Sequence, residues 1–437
     1  MYHVDRHQII VVSAIAALGL PWVPLVSAEP TGASSESASV QSVSLAHLID
    51  EACQRSPGLQ AKKRQYEAAR ARAVTSWLPD DPEFGVDVEG QPDLFNVHKR
   101  TDNEYTLLQR IPFPTTLWLN AQVASREAQM AYQQYKEEER QTVWHMEQPY
   151  AELFLAKQTV KALDDVKTLN QKLIKTAQAR YESNQASQQD LLKAQIELAK
   201  VGIDLVDWKE KAHLAEAHLS HVLNQSLELN YELAEEPKIP FPSMTRQGLE
   251  QLALHQRPEL KAMAVGVKRA KTERALAWTS WLPEVTGRIE SRQFKGESHL
   301  RENDTFIGVT VPVWSLLKGA GGQWKAAAKD VQAAEALYDE MKNEVLLAVH
   351  EAYSKAKAAE YAVKTYETLV LPQAKQQVEV SLASYEAGRA DFLSLIDAQR
   401  TFRDTQIAYY RVKADYELAM ADLRLAVGGS WSEEGQH

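Results

Sequence analysis

Several things are scarce in this chain of 437 residues, and each scarcity excludes a class of protein. A single cysteine, Cys53, rules out a disulfide framework, a thiolate zinc site and a CxxC redox pair. Beyond the amino terminus no apolar run approaches the ~18 residues of a membrane-spanning helix, and the mean hydropathy is −0.40. Lys and Arg number 49 against 59 Asp and Glu, with no basic block, so there is no footprint for nucleic acid. Ser, His and Asp are scattered without a GxSxG-type turn, which speaks against an enzyme. No ligand set argues for a cofactor or a resident metal: His213, His218 and His221 share one helical stretch, but nothing completes a site, and they read as solvated helix-face residues.

What is present begins with an export signal. His3 and Arg6 precede an apolar core at 9–20, then Pro21 and Val26-Ser27-Ala28, so residues 1–28 read as a cleaved signal peptide. Residues 29–43, rich in Ser, Ala and Gly, read as a flexible leader.

The remainder contains itself twice. Ser76-Trp77-Leu78-Pro79 returns as Ser280-Trp281-Leu282-Pro283, 204 positions later, and Tyr181-Glu182 returns as Tyr385-Glu386 at the same interval. Ile111-Pro112-Phe113 and Val311-Pro312-Val313 lie 200 apart, a shortfall that matches a Gly319–Gly322 insertion. The repeats span 44–226 and 245–430, joined by a Pro-marked linker at 227–244 and followed by a tail at 431–437.

Each repeat changes period in the same order. Helical spacing over 45–77 and 249–281 stops at Leu-Pro. Alternation follows, with Phe84, Val86 and Val88 in one copy and Val285 and Ile289 in the other; second strands return through Tyr105, Leu107 and Ile111, or Ile307, Val309 and Val311. A long heptad-patterned tract comes next, with Pro372 as a kink and Pro149 as its counterpart. Polar turns at 182–186 and 386–390 reverse the chain into a last helix. The expected fold is therefore mainly α with a minor β part, a duplicated αββαα unit.

A hairpin with one apolar face and two open edges is not stable alone. In an exported chain it suits a barrel with lipid outside and water inside, with Phe84, Val86, Val88, Val285, Ile289, Ile307 and Val309 as the lipid face. Four strands are too few to close, so the expectation is a homotrimer whose three chains make a 12-stranded transmembrane β-barrel in outer-membrane lipid. A soluble sheet packed on the helices, a periplasmic adaptor and a coiled-coil scaffold are the competing readings.

The duplicated order, the Trp-Leu-Pro before each first strand, the Tyr- and Ala-Gln-marked helix reversals and the Val427-Gly428-Gly429-Ser430 ending resemble the TolC-type outer-membrane efflux proteins. Asp81-Pro82-Glu83 and Ile111-Pro112-Phe113-Pro114 are most similar to its heavy-metal (CusC/CzcC-like) branch. The resemblance implies a channel in the outer membrane of a Gram-negative bacterium, with coiled-coil helices forming a periplasmic tunnel. It also implies a periplasmic adaptor (membrane fusion protein) and an inner-membrane efflux pump of the RND type as partners. The turns at Asn184, Ser187, Gly388 and Asp391 become adaptor-docking tips. Asp190, Tyr385 and Asp397 become a periplasmic gate; the alternative is that Asp190 and Asp397 cap or solvate helix starts. The chain departs from the family pattern at Asn184 and Ala390, where Gly and a basic residue are expected.

Overall fold

The computed structural model describes residues 41–89, 102–183, 187–225, 231–233, 240–294 and 297–429. The signal-peptide reading and the tail at 431–437 lie outside the described residues. Each repeat opens with two helices, α1 (Leu45–Arg55) and α2 (Pro57–Thr75) in the first, α5 (Arg246–Gln256) and α6 (Pro258–Thr279) in the second. The single helix expected over 45–77 is therefore broken. Pro57 and Pro258 exclude the α conformation from the residue before them, and Ser56 (ψ 119°) and Arg257 (ψ 121°) turn out of the helix.

The hairpins follow: β2 (Glu83–Glu89) with β3 (Asp102–Ile111), and β5 (Glu284–Phe294) with β6 (Glu302–Thr310). They join through β3 and β5 into one antiparallel sheet of order β2-β3-β5-β6. Two short strands, β1 (Gln41–Val43) and β4 (Tyr231–Leu233), pair in parallel, so the end of the segment read as a leader is tied to the middle of the linker.

The long helices complete each repeat. α3 (Pro114–Glu182) runs 69 residues, roughly 100 Å at 1.5 Å each, and turns into α4 (Gln188–Val222). In the second repeat α7 (Val313–Lys318), α8 (Trp324–Thr365) and α9 (Leu371–Glu386) form the equivalent tract and turn into α10 (Phe392–Val427). Two π turns, Gly319–Gln323 and Tyr366–Val370, interrupt it. The second lies just ahead of Pro372, which has no N–H for the Thr368 carbonyl; the turn widens there and Leu371 N–H donates to Tyr366 O.

Packing fixes how the repeats correspond. One core joins Leu48, Ala52, Met146, Tyr150, Leu153, Ala215, Leu219 and Leu223. The other contains Leu249, Ala253, Val349, Ala356, Ala419, Leu423 and Val427, with Tyr353 packed against it. These are the same eight positions. The interval is 201 in the opening helices, 203 between α3 and α8, and 204 between α4 and α10. The four-residue shortfall at the strands is thus made up in two places, three residues around Gly319–Gln323 and one at the second π turn. This corrects the proline pairing: Pro149 is equivalent to Ala352, not to Pro372.

Candidate functional site

The sheet register sorts every strand residue onto one of two faces, because residues directly opposite share a face and neighbours along a strand alternate. Phe84, Leu107, Ile289 and Thr305 form one cross-strand row; Val86, Tyr105, Ser291 and Asn303 form the next. Ile111, Val285 and Val309 form another, and Ile307 stands opposite Gly287 on the same face. Val88 is in register with Asn103. The exposures are high for large apolar side chains, 69% for Phe84, 76% for Ile307 and 62% for Val309. Uncovered apolar area of this extent marks an interaction surface rather than a core.

The opposite face is charged. It carries Glu83, Asp87, Asp102, Glu104, Glu284, Glu290 and Asp304 against Arg110, Arg288 and Arg292. Arg292 reaches Glu104 at 3.2 Å, Arg288 reaches Glu290 at 2.9 Å and the Arg288 guanidinium lies 5.3 Å from the Phe306 ring. β2 and β6 are open edges, each hydrogen-bonded on one side only.

At the far end of the long helices the two tips differ. In the first, Ser187 caps α4 by accepting from Asp190 N–H at 3.2 Å, and the Asp190 carboxylate accepts from Ser187 N–H at 3.3 Å. Asn184 lies outside the described residues. In the second, Gly388 takes φ +69°, the left-handed conformation that glycine enters freely. Asp391 caps α10, accepting from Ser394 N–H at 3.2 Å. The hydroxyl and backbone bonds from Ser394 hold the Asp391 carboxyl below the usual carboxylate range. The two caps have exchanged their chemistry, Ser and Asp in one, Asp and Ser in the other, 204 positions apart.

Tyr385 is buried at 4% exposure between the repeats. Its ring packs edge-on to Phe392 at 5.5 Å and under the Arg180 guanidinium at 4.6 Å. Its hydroxyl has no hydrogen-bond partner among the described residues. Arg180 also donates to Tyr385 O at 2.8 Å and to Glu386 O at 2.9 Å, placing a cation at the carboxyl end of α9. Asp190 is thus engaged in its own cap and makes no described bond to Tyr385. Asp397 is exposed on α10, 3.7 Å from Arg400.

Sequence reasoning missed three residues here. Arg180, Glu197 and Arg400 stand outside every site motif of the sequence. Yet Arg400 bonds Glu197, joining α4 to α10, while Lys200 approaches the same carboxylate at 3.4 Å. The Arg400 hydrogen bond outweighs burial and lowers the Glu197 pKa. Among the described residues no helix is long and apolar enough to cross a membrane.

Residues 249–429 match the family described as "Outer membrane efflux protein". The match covers the second repeat. The outer membrane protein TolC of Vibrio cholerae is 23% identical over 90% of this chain and 92% of its own. The cobalt-zinc-cadmium resistance protein CzcC of Cupriavidus metallidurans is 23% identical over 60% of this chain and 61% of its own length. The solved structure of CusC superposes with a TM-score of 0.75 at 15% identity, covering 88% of this chain and 92% of that one. These relatives are channels rather than enzymes. The matched family and the Vibrio relative are described as outer-membrane proteins, and the CusC structure is described by its transmembrane channel formation.

Proposed function

We propose that this outer-membrane efflux channel works as a homotrimer that receives heavy-metal cations from a periplasmic adaptor and an energised inner-membrane pump, and passes them outward without chemistry of its own. The observation that carries the reading is the four-stranded sheet, apolar and uncovered on one face, charged on the other and open at both edges. Three such sheets joined β6 to β2 bury every edge, set Phe84, Val86, Val285, Ile289, Ile307 and Val309 toward lipid and leave the charged face on water. That face has an excess of carboxylates, which favours cations over anions. The names of the relatives CzcC and CusC support the metal branch.

The helix tips are the docking end in this reading. A bulky residue at Gly388 both strains a positive φ and crowds the tip. Gly388→Trp is expected to abolish metal resistance while trimer and outer-membrane levels stay normal. The deciding experiment is purification from outer membranes in detergent, native mass spectrometry and conductance in planar bilayers. A monomer without channel activity would overturn the proposal.

A further inference from the structure

Where α3, α4 and α10 meet, two apolar clusters are separated by one polar layer. Toward the tip lies the cluster of Leu173, Ala194, Phe392 and Ile396. Away from it lies that of Leu163, Val166, Val201 and Leu205, with Ile407 packed against it. Between the two, each helix sets one polar residue at the three- or four-residue step of its packed face: Asn170 between Val166 and Leu173, Glu197 between Ala194 and Val201, Gln399 between Ile396 and Arg403. All three are buried, at 6%, 4% and 6% exposure. In the second repeat the position of Asn170 is taken by Ala374, also buried, so the amide has no counterpart there.

A buried amide costs free energy unless it is hydrogen-bonded. Gln399 has no partner among the described residues for either its Nε2 or its Oε1. Glu197 is held through one oxygen, since Arg400 and Lys200 both bond Oε1. Beside these groups Asn170, Glu197, Gln399, Arg400 and Arg403 line a small cavity that leaves about 10 Å³ for the centre of a water molecule, room for one. The two cations there are already met. Arg400 bonds Glu197 and lies 3.7 Å from Asp397, and Arg403 lies 2.9 Å from Asp404 and 4.0 Å from Asp204, so nothing in the cavity calls for an anion.

We propose that this cavity binds a single water molecule, which bridges Gln399 to Asn170 and Glu197, and that the hydrated layer divides the packing of the three helices into two units. The water accepts from the Gln399 amide N–H and donates to the Asn170 carbonyl oxygen and to the Glu197 carboxylate, the number of bonds that buried waters ordinarily make. The site lies within one chain and needs no second copy. A polar layer of this kind adds little apolar burial, so the clusters on its two sides stabilise one another weakly and open by separate local unfolding.

Crystals of the full-length protein in detergent, grown once in sodium and once in rubidium salt, test the site. A solvent peak within hydrogen-bond distance of the Gln399 amide and of Asn170 or Glu197, without a rubidium anomalous signal, is expected. A rubidium signal would make the ligand a monovalent cation, and an empty site or a Gln399 amide bonded to protein would remove the ligand; each overturns the water. In thermal unfolding Gln399→Leu and Asn170→Leu should each lower the midpoint, and the double variant should lower it by less than the sum, because both changes lose the same bridge. Strict additivity overturns the bridge. Hydrogen exchange tests the division: amides at 173–182 should exchange about tenfold faster than those at 159–166, and the double variant, with an apolar layer, should narrow that ratio. An equal rate in the parent, or a ratio unchanged in the double variant, overturns the two units.

Discussion

The two repeats build one core from different volumes. In the first, α3 contributes Met146, Tyr150 and Leu153; in the second, the same positions of α8 are Val349, Tyr353 and Ala356. The opening and closing helices differ less, with Leu48 and Ala52 answered by Leu249 and Ala253, and Leu219 by Leu423. At three further buried positions the second repeat has Val345, Ala352 and Met420 where the first has Thr142, Pro149 and Glu216. What has been kept is register, not volume. Insertions that would have rotated a core face toward solvent are taken up at the π turns, after which the same faces are buried again.

The largest effect should come from exchanging those volumes. Leu153→Ala leaves a cavity in a fully buried site and is expected to lower stability by about 2–5 kcal/mol, whereas its mirror, Ala356→Leu, should cost about 1–3 kcal/mol by overpacking. Denaturant unfolding in detergent measures both; equal costs would mean the two cores are not equivalent. The sheet comes next. Val86→Arg and Val309→Arg place a cation on the apolar face of each hairpin, at about 2–4 kcal/mol near mid-membrane. Outer-membrane levels should fall for both, and normal levels for either would remove that hairpin from lipid.

The tips should separate the repeats more finely. Gly388→Ala meets no side chain, since nothing lies within 4 Å of the added carbon, so its cost is the left-handed backbone alone, about 1–2 kcal/mol. Ser187→Ala at the first tip loses a cap, at about 1 kcal/mol. Thermal unfolding should rank Gly388→Ala below Ser187→Ala. Glu197 tests the tie between α4 and α10 by pH. Its folded pKa is depressed by Arg400, so the tie contributes above the unfolded value and is lost as pH falls through the folded one. Glu197→Gln should flatten the fall in stability below about pH 4.3, and an unchanged profile would assign that fall to other carboxylates. The smallest effect is expected at Asp397. Exposed beside Arg400, it should alter single-channel conductance or block by multivalent cations when changed to Ala, with stability untouched; unchanged currents would leave the gate elsewhere.

Much of the fold was legible because its signals are local or periodic. Alternation in Phe84, Val86 and Val88, Leu-Pro stops after Trp77 and Trp281, and Gly388 at a turn each follow from backbone sterics that act within a few residues. The break before Pro57 was equally local and went unread, since the helical pattern on either side outweighed one proline. The tip was hardly legible. Asp190 and Tyr385 carried the family motif, but which carboxylate caps a helix and which ring is covered depends on groups some 200 positions apart, such as Arg180 over Tyr385.

By itself the sequence determined the duplicated unit, the order of helix and strand, the faces of each strand and the places where the chain reverses. All of these follow from short-range periodicity and turn chemistry. Only the tertiary structure decided which repeat position answers which, because the interval drifts from 201 to 204 and side-chain burial, not residue identity, fixes the correspondence. It also decided that β3 lies against β5 and that Arg180 closes the carboxyl end of α9. Such pairings form between segments that share no local pattern, and they are set by the packing of whole helices.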